Sequence, residues 1–229
     1  MARIVKKHEA RKNEILDVAQ NLFYTHGFDK TSINQIIDEI GIAKGTIYHY
    51  FKSKYELLDA VVERLIIQMK NAVEPILKNS ELTPIQKFNM VFQVIGQIKF
   101  ERREFMMELL RVMTRDENVI LHQKMVARSI DFLSPVLSKI IKEGIEQHCF
   151  NCDYPDEVAI YIIGLSGYIN RHLTKTIIDI EEGRVDVEVF VNHMKGFENV
   201  IERMIGAEKG TLSLADEQLV RNFFTIQEV

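Results

Sequence analysis

The residue types able to do chemistry are scattered along this sequence, and most are spaced wrongly for it. Cys149 and Cys152 form a C-x-x-C pair within His148-Cys149-Phe150-Asn151-Cys152. One such pair supplies at most half of a structural zinc site, and a redox pair wants a strand before it and a helix dipole on its first thiol. The flanking pattern puts this pair in a loop between two late helices, which favours ordinary loop cysteines and leaves a metal or thiol-sensing role open. The seven histidines, at 8, 26, 49, 122, 148, 172 and 193, make no H-E-x-x-H or other paired spacing. No glycine loop that could cradle phosphate, no G-x-S-x-G and no carboxylate pair stands out, so no catalytic residues and no cofactor are expected. The segment with concentrated polar chemistry is 31–54, TSINQIIDEIGIAKGTIYHYFKSK. Lys44, Gly45, Thr46, Tyr48 and His49 put a cation, a hydroxyl, two rings and a side-chain gap on one short stretch. That mixture suits insertion into a DNA major groove, about 12 Å wide.

The elements that must hold these residues are helices. Apolar residues recur at spacings of three and four, and 11 Gly and 4 Pro punctuate the chain. A first helix over about 9–26 buries Ile15, Leu16, Ala19, Leu22 and Phe23, and Gly27 suits its left-handed end. Thr31 or Ser32 caps a short helix carrying Ile33, Ile36, Ile37 and Ile40, which Gly41 ends. A second short helix follows at about 44–50, with Ile47 and Phe51 facing inward and Ile42 plugging the angle between the two. A long helix runs from Lys54 towards Pro75. Beyond Pro84 the spacing predicts helices at 84–101, 104–114, 118–147 with a bend at Pro135, 156–180, 186–206 and 215–224. Residues 31–54 therefore form either a helix-turn-helix or an ordinary helical corner with solvated polar residues; the pattern alone allows both.

Composition narrows the class. The chain has 229 residues, 46% hydrophobic and 27% charged, which excludes a disordered chain, a collagen-like fibre and a disulfide scaffold. Two cysteines fit a reducing compartment. The N-terminus lacks the apolar run of a signal peptide, and no stretch approaches about 18 uninterrupted apolar residues. A soluble cytoplasmic protein with no membrane partner is expected. Charge is uneven: residues 1–54 carry nine Lys/Arg against six Asp/Glu, a net of +3, while the remainder is net −7. A basic head on an acidic body suggests that the head alone meets an anionic partner.

The run GIAKGTIYHYFKSKYEL, with LFYTHGF and Thr31-Ser32-Ile33 before it, resembles the DNA-binding signature of the tetracycline-repressor (TetR) family of bacterial transcriptional regulators. The resemblance covers about residues 9–58. It implies an all-α protein with a three-helix DNA-binding head containing a helix-turn-helix at 1–54 and a helical ligand-binding and dimerisation domain at 55–229. It further implies a homodimer that binds a palindromic double-stranded operator, mostly as a repressor, and is released by a small molecule. By the same resemblance, Tyr48 and Lys54 grip phosphates, and Thr31 and Ser32 present a hydroxyl and helix N-terminal amides to the backbone. Lys44, Thr46 and His49 face base edges, and Gly45 lets the DNA come close. The basic arm Arg3, Lys6 and Lys7 reaches phosphates or a minor groove, and Tyr50 belongs to the core.

The body offers two further patterns. In 156–180, Val158, Ile162, Leu165, Ile169, His172 and Thr176 repeat at alternating fours and threes, and in 186–206 so do Phe190, Met194, Phe197, Ile201 and Met204. Gly164 and Gly167 would let another backbone approach the first closely, and Val187, Val191, Val200 and Ile205 make the second wider than one internal contact needs, although a core-only reading stays open. The two stripes predict a four-helix bundle between two copies, with Leu165, Ile169, Phe190, Met194, Phe197, Ile201 and Met204 at the interface. The middle helices are rich in Met and Phe, which suits a pocket that repacks around a mostly apolar effector. Its candidate lining is Phe100, Met106, Met107, Met113, His122, Met125, Phe132, Tyr161 and Tyr168. Two rival readings stay open: a DNA-binding protein of this type acting through protein partners or as a nucleoid-associated factor without a ligand, and a helical enzyme.

Overall fold

The computed structural model describes residues 2–113, 115 and 118–225, and among them the regular structure is entirely helical. The helices are α1 (Ala2–His26), α2 (Ile33–Ile40), α3 (Lys44–Tyr50), α4 (Lys54–Lys78), α5 (Pro84–Phe100), α6 (Arg103–Met113), α7 (Val119–Glu146), α8 (Pro155–Glu181), α9 (Val187–Ile205) and α10 (Glu217–Thr225). Each falls where the spacing predicts one. Two ends differ: α1 begins well before residue 9, and α4 passes through Pro75 to Lys78. A proline in the last turn of a helix removes a single ladder bond, which a long packed helix tolerates. Pro135 likewise lies inside α7, one residue after Ser134, whose hydroxyl donates to the Ile130 carbonyl at 2.8 Å.

The chain divides into two compact units, residues 1–67 with 102–109, and residues 68–101 with 110–229. The first unit thus reaches past residue 54 into α4 and recruits a segment far away in sequence. Its core is Ile15, Ala19, Phe23, Phe28, Ile36, Ile47, Leu57, Leu58 and Val61, all buried. The recruited start of α6 stacks Phe105 on Tyr24, ring centroids 4.4 Å apart. It also brings Glu108 Oε1 within 3.0 Å of the Asp29 amide, which donates to it.

The second unit centres on Phe88, Val91, Leu137, Ile140, Ile141, Ile162, Ile201 and Ile205. Thr83 starts α5 through a reciprocal capping box with Gln86, and Pro84 occupies the first helical position. Gly206 ends α9 at φ +65°, and a side chain there would also strike the Asn151 carbonyl. The buried Glu202 carboxylate accepts from the amides of Gly210 (2.7 Å) and Leu212 (3.0 Å), pinning the segment that leads to α10.

Lys87 is nearly buried, its side chain 7% exposed, and its ammonium meets Glu143 Oε2 at 2.6 Å between α5 and α7. Removing one partner from such a pair strands the other's charge, whereas an apolar pair need not be worse than the ions. Glu143→Ala is therefore expected to cost about 3 kcal/mol in urea unfolding. The double variant Lys87→Met, Glu143→Leu should recover most of that loss, and no recovery would mean that the pair matters for packing and not for charge.

Candidate nucleic-acid interface

Ser32 is the N-cap of α2. Its hydroxyl accepts from the Gln35 amide at 3.2 Å, and Gln35 Oε1 accepts from the Ser32 amide at 2.7 Å. This reciprocal box fixes where the helix starts, and Gly41 fixes where it stops: φ is +74°, and its amide donates to the Ile37 carbonyl. A left-handed residue there turns the chain sharply into α3. Ile36, Ile47 and Phe51 are buried beneath the turn, so the inward face of α3 is fixed by the core of its own unit.

The outward face of α3 is then set by helical geometry. Lys44, Gly45, Tyr48 and His49 are exposed and Thr46 is half-buried. Tyr48 keeps 43% of its surface exposed although it is aromatic, with the Lys44 ammonium 6.0 Å from its ring centre. A side chain added at Gly45 would meet nothing within 4 Å. Nothing inside the protein therefore requires glycine at that position. Beside this face, His8 on α1 lies 4.6 Å from the Tyr50 ring and 5.8 Å from the His49 ring, centre to centre. Sequence reasoning did not include His8, because the extension of α1 towards the N-terminus carries no apolar stripe to announce it. Tyr50 is half-buried within this cluster and not in the sealed core. The side chains of Arg3, Lys6 and Lys7 lie outside the described residues.

Two expected DNA contacts are corrected. Thr31 is 2% exposed, and its hydroxyl sits 2.8 Å from the Gly27 carbonyl and 3.2 Å from the Leu22 carbonyl. It closes the C-terminal end of α1 and cannot present that hydroxyl to a phosphate. Lys54 folds back over its own unit: its ammonium donates to the carbonyls of Phe28 (2.8 Å) and Asp29 (3.4 Å) and lies 4.2 Å from the centre of the Phe28 ring. Lysine is favoured there because three donors and a diffuse attraction to the ring tie α4 to the loop after α1. Ser32 remains exposed at the start of α2, as expected.

The body candidates are also partly rearranged. Met106 and Met107 belong to the first unit, and Met107 is 2% exposed in its core, so Met107 packs with the head. Tyr161 is 60% exposed, on the side of α8 opposite buried Ala159 and Ile163, because one residue along a helix turns the side chain by about 100°. Phe100 packs on Phe223 of α10, ring centres 6.1 Å apart. His122, Met125 and Phe132 are half-buried along α7, and the side chains of Met113 and Tyr168 lie outside the described residues. Among the expected interface residues, Ile201 is fully buried within its own unit and is corrected to core. Phe190 contacts Phe224 of α10, ring centres 5.7 Å apart, while Leu165, Ile169, Met194, Phe197 and Met204 are half-buried. Among the described side chains, the large apolar residues left exposed on α8 and α9 are Ile160, Tyr161, Val189 and Val200.

Comparison with known proteins identifies the class that this fold and face define. Residues 15–61 match the domain described as bacterial regulatory proteins, tetR family, and residues 106–188 match the tetracyclin repressor-like C-terminal domain. The chain belongs to the TetR family and is a transcriptional regulator with a helix-turn-helix DNA-binding head. It is 29% identical over 83 residues to the transcriptional repressor KstR2 of Mycolicibacterium smegmatis, a match covering 36% of this chain and 40% of that protein. It is 29% identical over 148 residues to the uncharacterized regulator YhgD of Bacillus subtilis, covering 61% of this chain and 73% of that protein. The crystal structure of RolR with resorcinol superposes with a TM-score of 0.64 at 17% identity, covering 97% of this chain and 96% of that one, which speaks for the fold. No helix among the described residues is long and apolar enough to cross a membrane.

Proposed function

We propose that this regulator is a repressor that binds a palindromic operator as a homodimer and is released by a small, mostly apolar effector held in the body. The observation that carries the DNA half is the outward face of α3, where Lys44, Tyr48 and His49 are exposed around a glycine with open space above it. Phosphate contacts from Tyr48 and the exposed hydroxyl and amides at Ser32 would set register, and Lys44, Thr46 and His49 would meet base edges. The exposed Ile160, Tyr161, Val189 and Val200 support pairing of α8 and α9 with their copies. Two recognition helices must then enter successive major grooves, about 34–36 Å apart.

Release is a coupling free energy between two sites. α4 and α6 are the helices through which the chain passes from one unit to the other. An effector that favours a different setting of either helix weakens operator binding, and by reciprocity the operator weakens effector binding by the same factor. A fold in which RolR holds resorcinol is consistent with an effector of modest size. The Met and Phe content of the body favours apolar compounds over sugar phosphates, whose desolvation would go unrepaid.

The test is fluorescence anisotropy with DNA at several salt concentrations. Tyr48→Ala should weaken binding to all duplexes alike, by about tenfold for a lost hydrogen bond to a charged phosphate. Lys44→Ala should instead change the preference among sequences. Unchanged binding in Tyr48→Ala would remove the head from the mechanism.

A further inference from the structure

The inward column of α1 runs Phe23, Ala19, Ile15, Lys12 and His8, at steps of four and three. Its first three residues are buried, Lys12 is half-buried and His8 is exposed. The column therefore leaves the core of its unit and surfaces towards the N-terminus of the helix. What it meets there is α3. The His8 ring centre lies 4.6 Å from that of Tyr50 and 5.8 Å from that of His49. The His49 and Tyr50 rings are themselves 5.2 Å apart, so the three rings close a triangle.

Within that triangle the three rings are not held equally. His49 meets both neighbours edge to face, at interplanar angles of 82° to His8 and 82° to Tyr50. Rings attract in this arrangement because the positive edge of one meets the negative face of the other. Tyr50 is half-buried, and His8 stands on a helix anchored by buried Ile15, Ala19 and Phe23, so the unit holds both walls. His49 is exposed, in the last turn of a seven-residue helix, and its own backbone does not choose a rotamer for it. A base contact made by a freely turning side chain must first order it, which weakens binding. Tyr50 comes with α3 as the next residue in the chain. His8 is supplied from a different helix.

We infer that His8 is a positioning residue for sequence recognition, holding the His49 imidazole beside Tyr50 in the orientation that meets a base edge. The inference rests on the proposed reading of base edges by His49. It adds a residue outside the helix-turn-helix to those that set specificity. His8 need not touch DNA to do this. Its ring removes rotamers that His49 would otherwise lose on binding, so His49 is ordered when the chain folds and not when the duplex arrives.

The experiment uses the full-length protein as wild type, His8→Ala, His8→Phe, His49→Ala and the double variant His8→Ala, His49→Ala. A site is selected from a random double-stranded library with wild type, and each protein is titrated against it and its single-base variants. His49→Ala should flatten the preference at the base pair that His49 reads. His8→Ala should weaken the selected site by about three- to tenfold, with the loss confined to that base pair. His8→Phe keeps a ring and should stay within about twofold of wild type. In the His49→Ala background, removing His8 should change nothing further. In the DNA-free protein the His49 imidazole resonance should move in His8→Ala, while the methyl resonances of the core stay in place. A loss of equal size with and without His49, or one spread over every base pair, would overturn the positioning role. So would a His8→Phe protein as weak as His8→Ala, or an unmoved His49 resonance. If His49→Ala keeps every preference, or wild type selects no site, the base-edge reading falls and the inference with it. If His49→Ala loses a preference that His8→Ala keeps in full, the inference falls alone.

Discussion

Gly45→Ala is expected to give a protein at least as stable as wild type that has lost its operator. A methyl group at position 45 meets nothing within 4 Å in the folded chain. Alanine also suits a helix better than glycine, by up to about 1 kcal/mol, because it gives up less backbone freedom on folding. On stability alone, glycine is the wrong residue here. With DNA lying where the methyl would go, the substitution should weaken specific binding by at least about a hundredfold, the scale of losing base contacts across a half-site. Thermal unfolding and anisotropy titrations on one preparation check both halves. Normal DNA binding would show that α3 does not approach the duplex at Gly45, and a fall in melting temperature would show that the glycine serves the fold.

The second large effect is expected at Val200, on α9. This residue is 42% exposed, on a flank of the helix away from buried Ile201 and Ile205. Because it is exposed within its own chain, a charge there should leave the fold of a single copy intact. If α8 and α9 pair with their copies, Val200→Glu buries a carboxylate without a partner at a twofold contact. Dimerisation should then weaken by more than about a hundredfold. Sedimentation should show a folded monomer, and operator binding should fall with it, since one head contacts one half-site. A dimer of wild-type affinity would move the interface to another surface.

How the chain folds was legible where a single residue type has a single physical use. Gly27 and Gly41 each end a helix at positive φ, which is why the C-terminal limits of α1 and α2 could be read directly. Ile47 and Phe51 follow the same logic, since a two-turn helix can bury one side only. What stayed hidden depended on partners distant in sequence. Thr31 and Lys54 are types that suit phosphate, and nothing local shows that the carbonyls of Leu22, Gly27, Phe28 and Asp29 already occupy them. The same blindness applies to α6: its Met-rich start reads as pocket lining, but Phe105 and Glu108 pack it against α1 and the loop that follows. Ile201 continues the apolar stripe of α9 without a break, and spacing alone does not say which flank of a wide stripe meets its own chain.

Whether two copies of α3 read a symmetric duplex is decided by selection from a random double-stranded library followed by sequencing. Enrichment is expected of an inverted repeat whose half-sites are centred about one helical turn apart, or a multiple of it. Gly45→Ala and Val200→Glu should recover no such sequence under the same conditions. Enrichment of a single asymmetric site, or of no sequence at all by the wild-type protein, would contradict symmetric reading by two copies of α3.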